Sequence, residues 1–204
     1  MRRDGLLVAV VLALSVALPM HAAGEAAARV TAVLRSCEGN SAQFVHKFLP
    51  KGYKKETIEQ GSVVFGPLPS MRWRYTTPET KEFVFDGTTS WLWVPADRQV
   101  TVHELTPDER AALPFFALSD PARIESSFTV TKSGRKTTLK SRKPDGMLAE
   151  IVVEEGKDGR LSLLRYVDSQ GNRTSFELTR FVPSASGPES FRFVAPPGAD
   201  IVRN

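Results

Sequence analysis

The sequence predicts a mainly β protein: about eleven strands in simple succession, forming an antiparallel sheet long enough to curl. Three observations carry that reading. From Gln43 almost to the C-terminus, short segments alternate apolar with polar residues. Turn signals such as Pro78, Asp86–Gly87 and Pro95–Ala96–Asp97 separate them. The alternation breaks only once at length, at a proline-punctuated insert carrying the adjacent pair Phe115–Phe116.

The N-terminus reads as an export segment. Arg2 and Arg3 precede a nearly unbroken apolar run from Gly5 to Leu18, followed by Pro19 and the small residues Ala22, Ala23 and Gly24. The run is short for a membrane span of about 20 residues. We expect residues 1–23 to be a cleaved signal peptide and residues 24–204 to form one domain in the periplasm. Ala26 to Arg35 follows as a helix with Val30, Val33 and Leu34 on one face, ending near Cys37–Glu38–Gly39.

The strands come next. Gln43–Leu49 alternates Phe44, His46 and Phe48, and Thr57–Phe65 ends at Gly66–Pro67. Met71–Thr76, Phe83–Asp86, Trp91–Val94 and Val100–Glu104 complete the first run. Thr106, Pro107 and Glu109 then supply an N-cap, a first helical position and the third residue of a capping box. That helix runs to about Leu113. Pro114–Phe115–Phe116–Ala117–Leu118 is a small apolar plug, and Asp120–Pro121 starts another turn of helix. Phe128–Lys132, Thr137–Arg142, Ala149–Glu155, Arg160–Asp168 and Thr174–Phe181 resume the strands, with a last extended piece at Phe191–Phe193.

Composition narrows the function. Twenty-seven basic residues stand against 23 acidic ones, too weak and dispersed a surplus to argue for nucleic acid. Cys37 is the one cysteine, so no internal disulfide is possible, and burial is its expected fate. His21 falls in the export segment, while His46 and His103 lack metal-ligand spacing. No nucleophile elbow or phosphate-binding glycine loop is present. We therefore expect no enzyme, no metal and no cofactor, although scattered carboxylates leave a spatial pair open.

What the sequence does concentrate is aromatic surface. Alternation places Met71, Trp73, Phe83, Phe85, Trp91 and Trp93 on candidate inner faces of neighbouring strands. Phe176 and Leu178 share a face late in the chain. Pro114, Phe115, Phe116 and Leu118 would plug the cavity so lined. An exported protein that spends its aromatics this way is expected to bind something apolar; the plain alternative is a dry core.

The order of these segments resembles the outer-membrane lipoprotein carrier family, LolA. Its marks are Phe44 within Ala42–His46, Met71–Tyr75 with Thr77–Pro78–Glu79, Phe83–Gly87, Trp91–Pro95, Leu113–Phe116, Lys157–Gly159, Gly171–Phe176 and Phe191–Gly198. The resemblance implies an unclosed β-barrel with a helical lid, acting as a monomer. It implies acylated lipoprotein or another acyl lipid as cargo, an inner-membrane ABC transporter as donor and an outer-membrane acceptor. A lipid-sensing regulatory module is the other role the resemblance allows. One departure stands out: where the family commonly has an Arg that latches the lid, this chain has Pro67, followed by Leu68.

Overall fold

The computed structural model describes residues 19–143 and 147–204, with side chains described from residue 23. Most of the expected signal segment, residues 1–18, lies outside the described residues. Helix α1 runs from Pro19 to Arg35, a longer span than the sequence predicts. The six strands β1 (Asn40–Leu49), β2 (Thr57–Phe65), β3 (Met71–Thr77), β4 (Lys81–Phe85), β5 (Thr89–Val94) and β6 (Gln99–Glu104) follow as an antiparallel meander. Three short helices, α2 (Pro107–Ala112), α3 (Pro114–Ala117) and α4 (Pro121–Ser127), interrupt it. A second meander contains β7 (Phe128–Ser133), β8 (Lys136–Ser141), β9 (Leu148–Glu155), β10 (Leu161–Asp168) and β11 (Arg173–Pro183). A short last strand, β12 (Asp200–Arg203), follows it.

The sheet order is β12-β6-β5-β4-β3-β2-β1-β11-β10-β9-β8-β7. The two meanders therefore join through β1 and β11, the first and last long strands, and the sheet stays open between β6 and β7. The helical insert is the link across that opening. Its caps are those the sequence predicts. Thr106 Oγ1 accepts from the Glu109 amide while the Glu109 carboxylate accepts from the Thr106 amide, and the Asp120 carboxylate accepts from the Ala122 amide.

Two features of the C-terminal region depart from the expected strand succession. Phe191 ends a 3₁₀ turn, Pro188–Phe191, where a last extended piece is predicted. The twelfth strand, β12, pairs parallel with β6 and forms the sheet edge. The segment between β11 and β12 straps the outside of the sheet. It is held by Ser184 N–H to Gly39 C=O (2.8 Å), Arg72 Nη1 to Ser190 C=O (2.8 Å) and Arg98 Nη2 to Gly198 C=O (3.0 Å). The Phe191 ring sits where a Cβ on Gly66 would be, 2.5 Å away, so residue 66 must lack a side chain.

The core lies on the inner face. It joins Val30, Val33 and Leu34 of α1 to Phe44, Val63, Phe65, Trp73 and Phe85 of the first meander. Leu139, Ile151, Leu164 and Leu178 of the second meander and Phe115, Ala117 and Leu118 of the insert belong to the same cluster. Neither a curled sheet nor a single helix could bury so much apolar surface alone; α1 and the insert supply the second layer.

Candidate functional site: an aromatic inner face under a helical lid

Register decides which aromatics meet. Trp73 on β3 pairs with Val63 on β2 and with Phe83 on β4, and Met71 pairs with Phe65 and Phe85, so these side chains share the inner face. Phe44 on β1 lies opposite Leu178 on β11 and opposite Gly61 on β2. Gly61 is needed there because a Cβ would approach the Arg74 carbonyl oxygen to 1.9 Å. The close strand approach brings Phe44 edge-on to Trp73 and to Tyr75, both at 4.9 Å between ring centroids. Phe176 closes the group at 4.8 Å from Trp73. Each such ring pair contributes roughly 1 kcal/mol beyond its burial.

Of the lining residues expected from sequence, Met71, Trp73, Phe85 and Leu178 are buried in this cluster. Phe83 and Phe176 are half-buried against it. Trp91 and Trp93 are not on that face. Phe85 pairs with Ser90 and Phe83 with Leu92, so Trp91 falls opposite Val84 and Trp93 opposite Glu82, on the outer face with Arg72 and Arg74. The cause is the β4–β5 turn, whose length makes odd residues of β4 face even residues of β5. Strict odd-numbered alternation carried through that turn inverts the assignment. The outer tryptophans belong to the face crossed by the C-terminal strap, where Val84, Val100 and Val102 are also buried.

Phe44, which the sequence marks only through the family resemblance, and Phe65, Tyr75 and Phe181 also stand on the inner face, outside the expected lining. Tyr75 and Phe65 follow from simple alternation with Trp73 and Val63. Phe181 does not. A bulge opposite Ser41–Gln43 holds Arg180 in the left-handed region at φ 55°, and this shifts the face on which Phe181 emerges. Its ring then stacks on Phe65 at 6.3 Å.

The lid residues divide. Phe115 and Leu118 are buried on the core, with the Phe115 ring 5.9 Å from Trp73 and 6.2 Å from Phe65. Pro114 starts α3. Phe116, expected in the plug, instead lies beneath the Arg123 guanidinium, 4.6 Å from its carbon. On so short a helix adjacent phenylalanines cannot share one face. The lid is tied to α1 by Thr31, whose buried hydroxyl donates to the Leu118 carbonyl at 2.9 Å. At its start it is tied to β6 through His103 Nε2 and Glu109, 3.0 Å apart. Pro67 is exposed in the turn that links Gly66 to Ser70 and contributes no such contact.

A polar group ends the aromatic face. Glu59 on β2 receives His46 Nδ1 at 3.0 Å and Lys81 Nζ at 2.5 Å. Because a carboxylate only accepts, Nδ1 carries the proton. Lys81 also lies over the Tyr75 ring at 4.6 Å, and His46 stacks on Phe176 at 4.4 Å. Burial lowers the His46 pKa against the opposing pull of Glu59, so the imidazole is neutral at pH 7. Burial likewise pushes the Tyr75 hydroxyl above its ordinary range. Cys37, in the turn just past the end of α1, is buried and its thiol is pushed up to about 11, chiefly by desolvation. Among the described residues no group of three or more His, Cys, Asp or Glu side chains is placed to hold a metal ion.

An open, lidded sheet with an apolar aromatic interior is the frame of a binding or carrier protein. Residues 35–194 match the family model described as outer membrane lipoprotein carrier protein LolA, and the chain belongs to that family. An outer-membrane lipoprotein carrier protein of Leptothrix cholodnii is 32% identical over 161 residues, covering 76% of this chain and 74% of the relative. One of Pseudomonas syringae pv. tomato is 28% identical over the full length of both. One of Aliivibrio fischeri is 29% identical, and the match spans 66% of that relative's length. The backbone is also similar to the crystal structure of an uncharacterized conserved protein from Thermus thermophilus. That likeness has a TM-score of 0.52 at 12% identity, covers 87% of this chain and 99% of the other, and is one of fold.

Proposed function

We propose that the protein shields the acyl chains of lipoproteins on its inner face and carries them through the periplasm from inner to outer membrane. The observation that carries this reading is the contact of Phe115 and Leu118 with the Trp73 cluster. An apolar interior is filled by the lid's own side chains, so removing the lid exposes a ready-made apolar surface. Each CH₂ group of an acyl chain gains about 0.8 kcal/mol on leaving water. A di- or triacylated anchor therefore needs such a cover in transit, and the lid's return competes with the cargo and permits release. An inner-membrane ABC transporter as donor and an outer-membrane acceptor complete the scheme. The reading assigns no catalysis and no cofactor to the chain.

Proline at position 67 favours a second form of the same reading, in which the cargo is another acyl lipid of a specialised export route. Here the lid is held from α1 by Thr31 rather than by an arginine beside β3. Mass spectrometry of what copurifies with the protein from the periplasm of its own host separates the two. Triacylated lipoproteins support the first reading. A different acyl lipid supports the second. A protein recovered empty under conditions that retain lipid counts against both.

A further inference from the structure

Beside the lid is a second apolar concavity, lined by none of Trp73, Phe44, Phe115 and Phe176. A cleft of about 300 Å³ opens between the lid helices and the ends of β7–β9. Ala111 and Ala112 of α2 and Ala117 of α3 form one wall; Phe128 and Leu148 form the other. Met147, 59% exposed, stands at its lip, a flexible apolar side chain suited to an irregular partner. The size and lining are those of a small-ligand site.

Its charged groups are two cations and one carboxylate. Arg123 and Lys143 face Asp108, Ser127 and Ser141 around the opening, and neither cation is in an ion pair among the described residues. Arg123 is held in place by the Phe116 ring beneath it, and its buried Nε has no hydrogen-bond partner. A guanidinium fixed in this way beside an apolar cleft suits a carboxylate or phosphate at the end of an apolar chain.

We propose that this cleft binds one acyl chain bearing an anionic head, with the chain between Ala112 and Leu148 and the head at Arg123 and Lys143. The proposal deepens the carrier reading and rests on it: the cleft is where an amphiphile meets the closed protein, since the inner face is covered. All three lid helices contribute to its walls, so an occupant there touches the element that must move.

The test uses the full secreted protein, stripped of lipid, titrated calorimetrically with laurate and with the uncharged glycerol monoester of the same acid, both below their micellar concentrations. Laurate is expected to bind once per protein and at least tenfold more tightly than the ester. Arg123→Gln with Lys143→Gln should weaken laurate about tenfold and leave the ester unchanged. Ala112→Trp, which fills the cleft, should weaken both while the melting temperature stays near that of the parent. Equal affinity for the two ligands, or no response to the charge variants, overturns the anionic head. Undiminished binding by a folded Ala112→Trp protein overturns the cleft. Retention of a lipopeptide by that same variant shows that the carrier reading survives either result.

Discussion

Trp73 is the residue on which the inner face turns. It touches Phe44, Phe176 and Phe115 at once, so it lies under the lid and within the lining together. A carboxylate in its place would be an unpaired charge among aromatic rings, at a cost of several kcal/mol. Trp73→Glu is expected to lower affinity for a fluorescent diacyl lipid about a hundredfold while the protein is still exported. Trp93→Glu, on the outer face, should leave that affinity within about twofold. Displacement titrations on the two purified variants check the contrast. Equal losses would show that register does not sort the tryptophans by function. Sequence alone shows that the tryptophans matter to the fold but not which side they serve. That depends on how many residues the β4–β5 turn contains, and the β11 bulge at Arg180 likewise hides Phe181 from any count by twos.

Among the elements, the lid and its fastening bear most on function. The Leu118 carbonyl is buried and its side-chain partner is Thr31. Thr31→Val keeps the shape of the side chain and removes the donor, leaving an acceptor unpaired at a cost of about 1–3 kcal/mol. Hydrogen exchange at the amides of residues 115–119 should then quicken about tenfold or more, with the amides of β9 and β10 unchanged. Unaltered lid protection would remove Thr31 from the fastening. The capping box and the short helices of the insert can be read directly from the sequence because they are local, but which of the two phenylalanines enters the core cannot. The Thr31 contact joins residues 87 positions apart and has no local signature.

The strand group at the other end of the inner face predicts a pH dependence. The folded-state pKa of His46 is lowered from 6.5, mainly by burial. The unfolded chain therefore takes up its proton first as pH falls. Stability contributed by the neutral, stacked imidazole is present above about 6.5 and is lost as pH drops below that value towards the lower folded pKa. Glu59, Lys81 and Tyr75 face the ring; Glu59 favours its protonated form, and burial together with the Lys81 charge outweighs that pull. Thermal melts of the parent and of His46→Gln across pH 7 to 5 check this. The parent should lose more stability than the variant through that range, and parallel curves would refute the assignment.

At the scale of the whole molecule, the open seam and the outer strap give the fold its asymmetry. The break between β6 and β7 falls in the middle of the chain, and the lid is the covalent link across it. One edge is lengthened by β12, the other is β7, and the strap anchors through Arg72, which is itself bidentate to Glu82 at 2.7 and 3.1 Å. Burial pushes the Glu82 carboxyl up, but hydrogen bonds from Arg72 and Arg74 outweigh it and hold the pKa below its ordinary value. The mainly β class, the helical insert and the number of long strands are legible because each rests on short-range periodicity. The pairing of β1 with β11 and the parallel edge strand are not, since nothing near either segment specifies a partner so distant in sequence.

The central claim is that acyl cargo lies on the inner face and not against the outer tryptophans. A photocrosslinking amino acid placed at Phe176 or Phe83, both half-buried on the inner side, and separately at Trp93 on the outer side, reads this directly in cells. After illumination, lipoprotein adducts are expected from positions 176 and 83 and not from 93. Adducts from 93 alone, or none from 176 and 83 while the parent still copurifies with lipoprotein, would contradict the account.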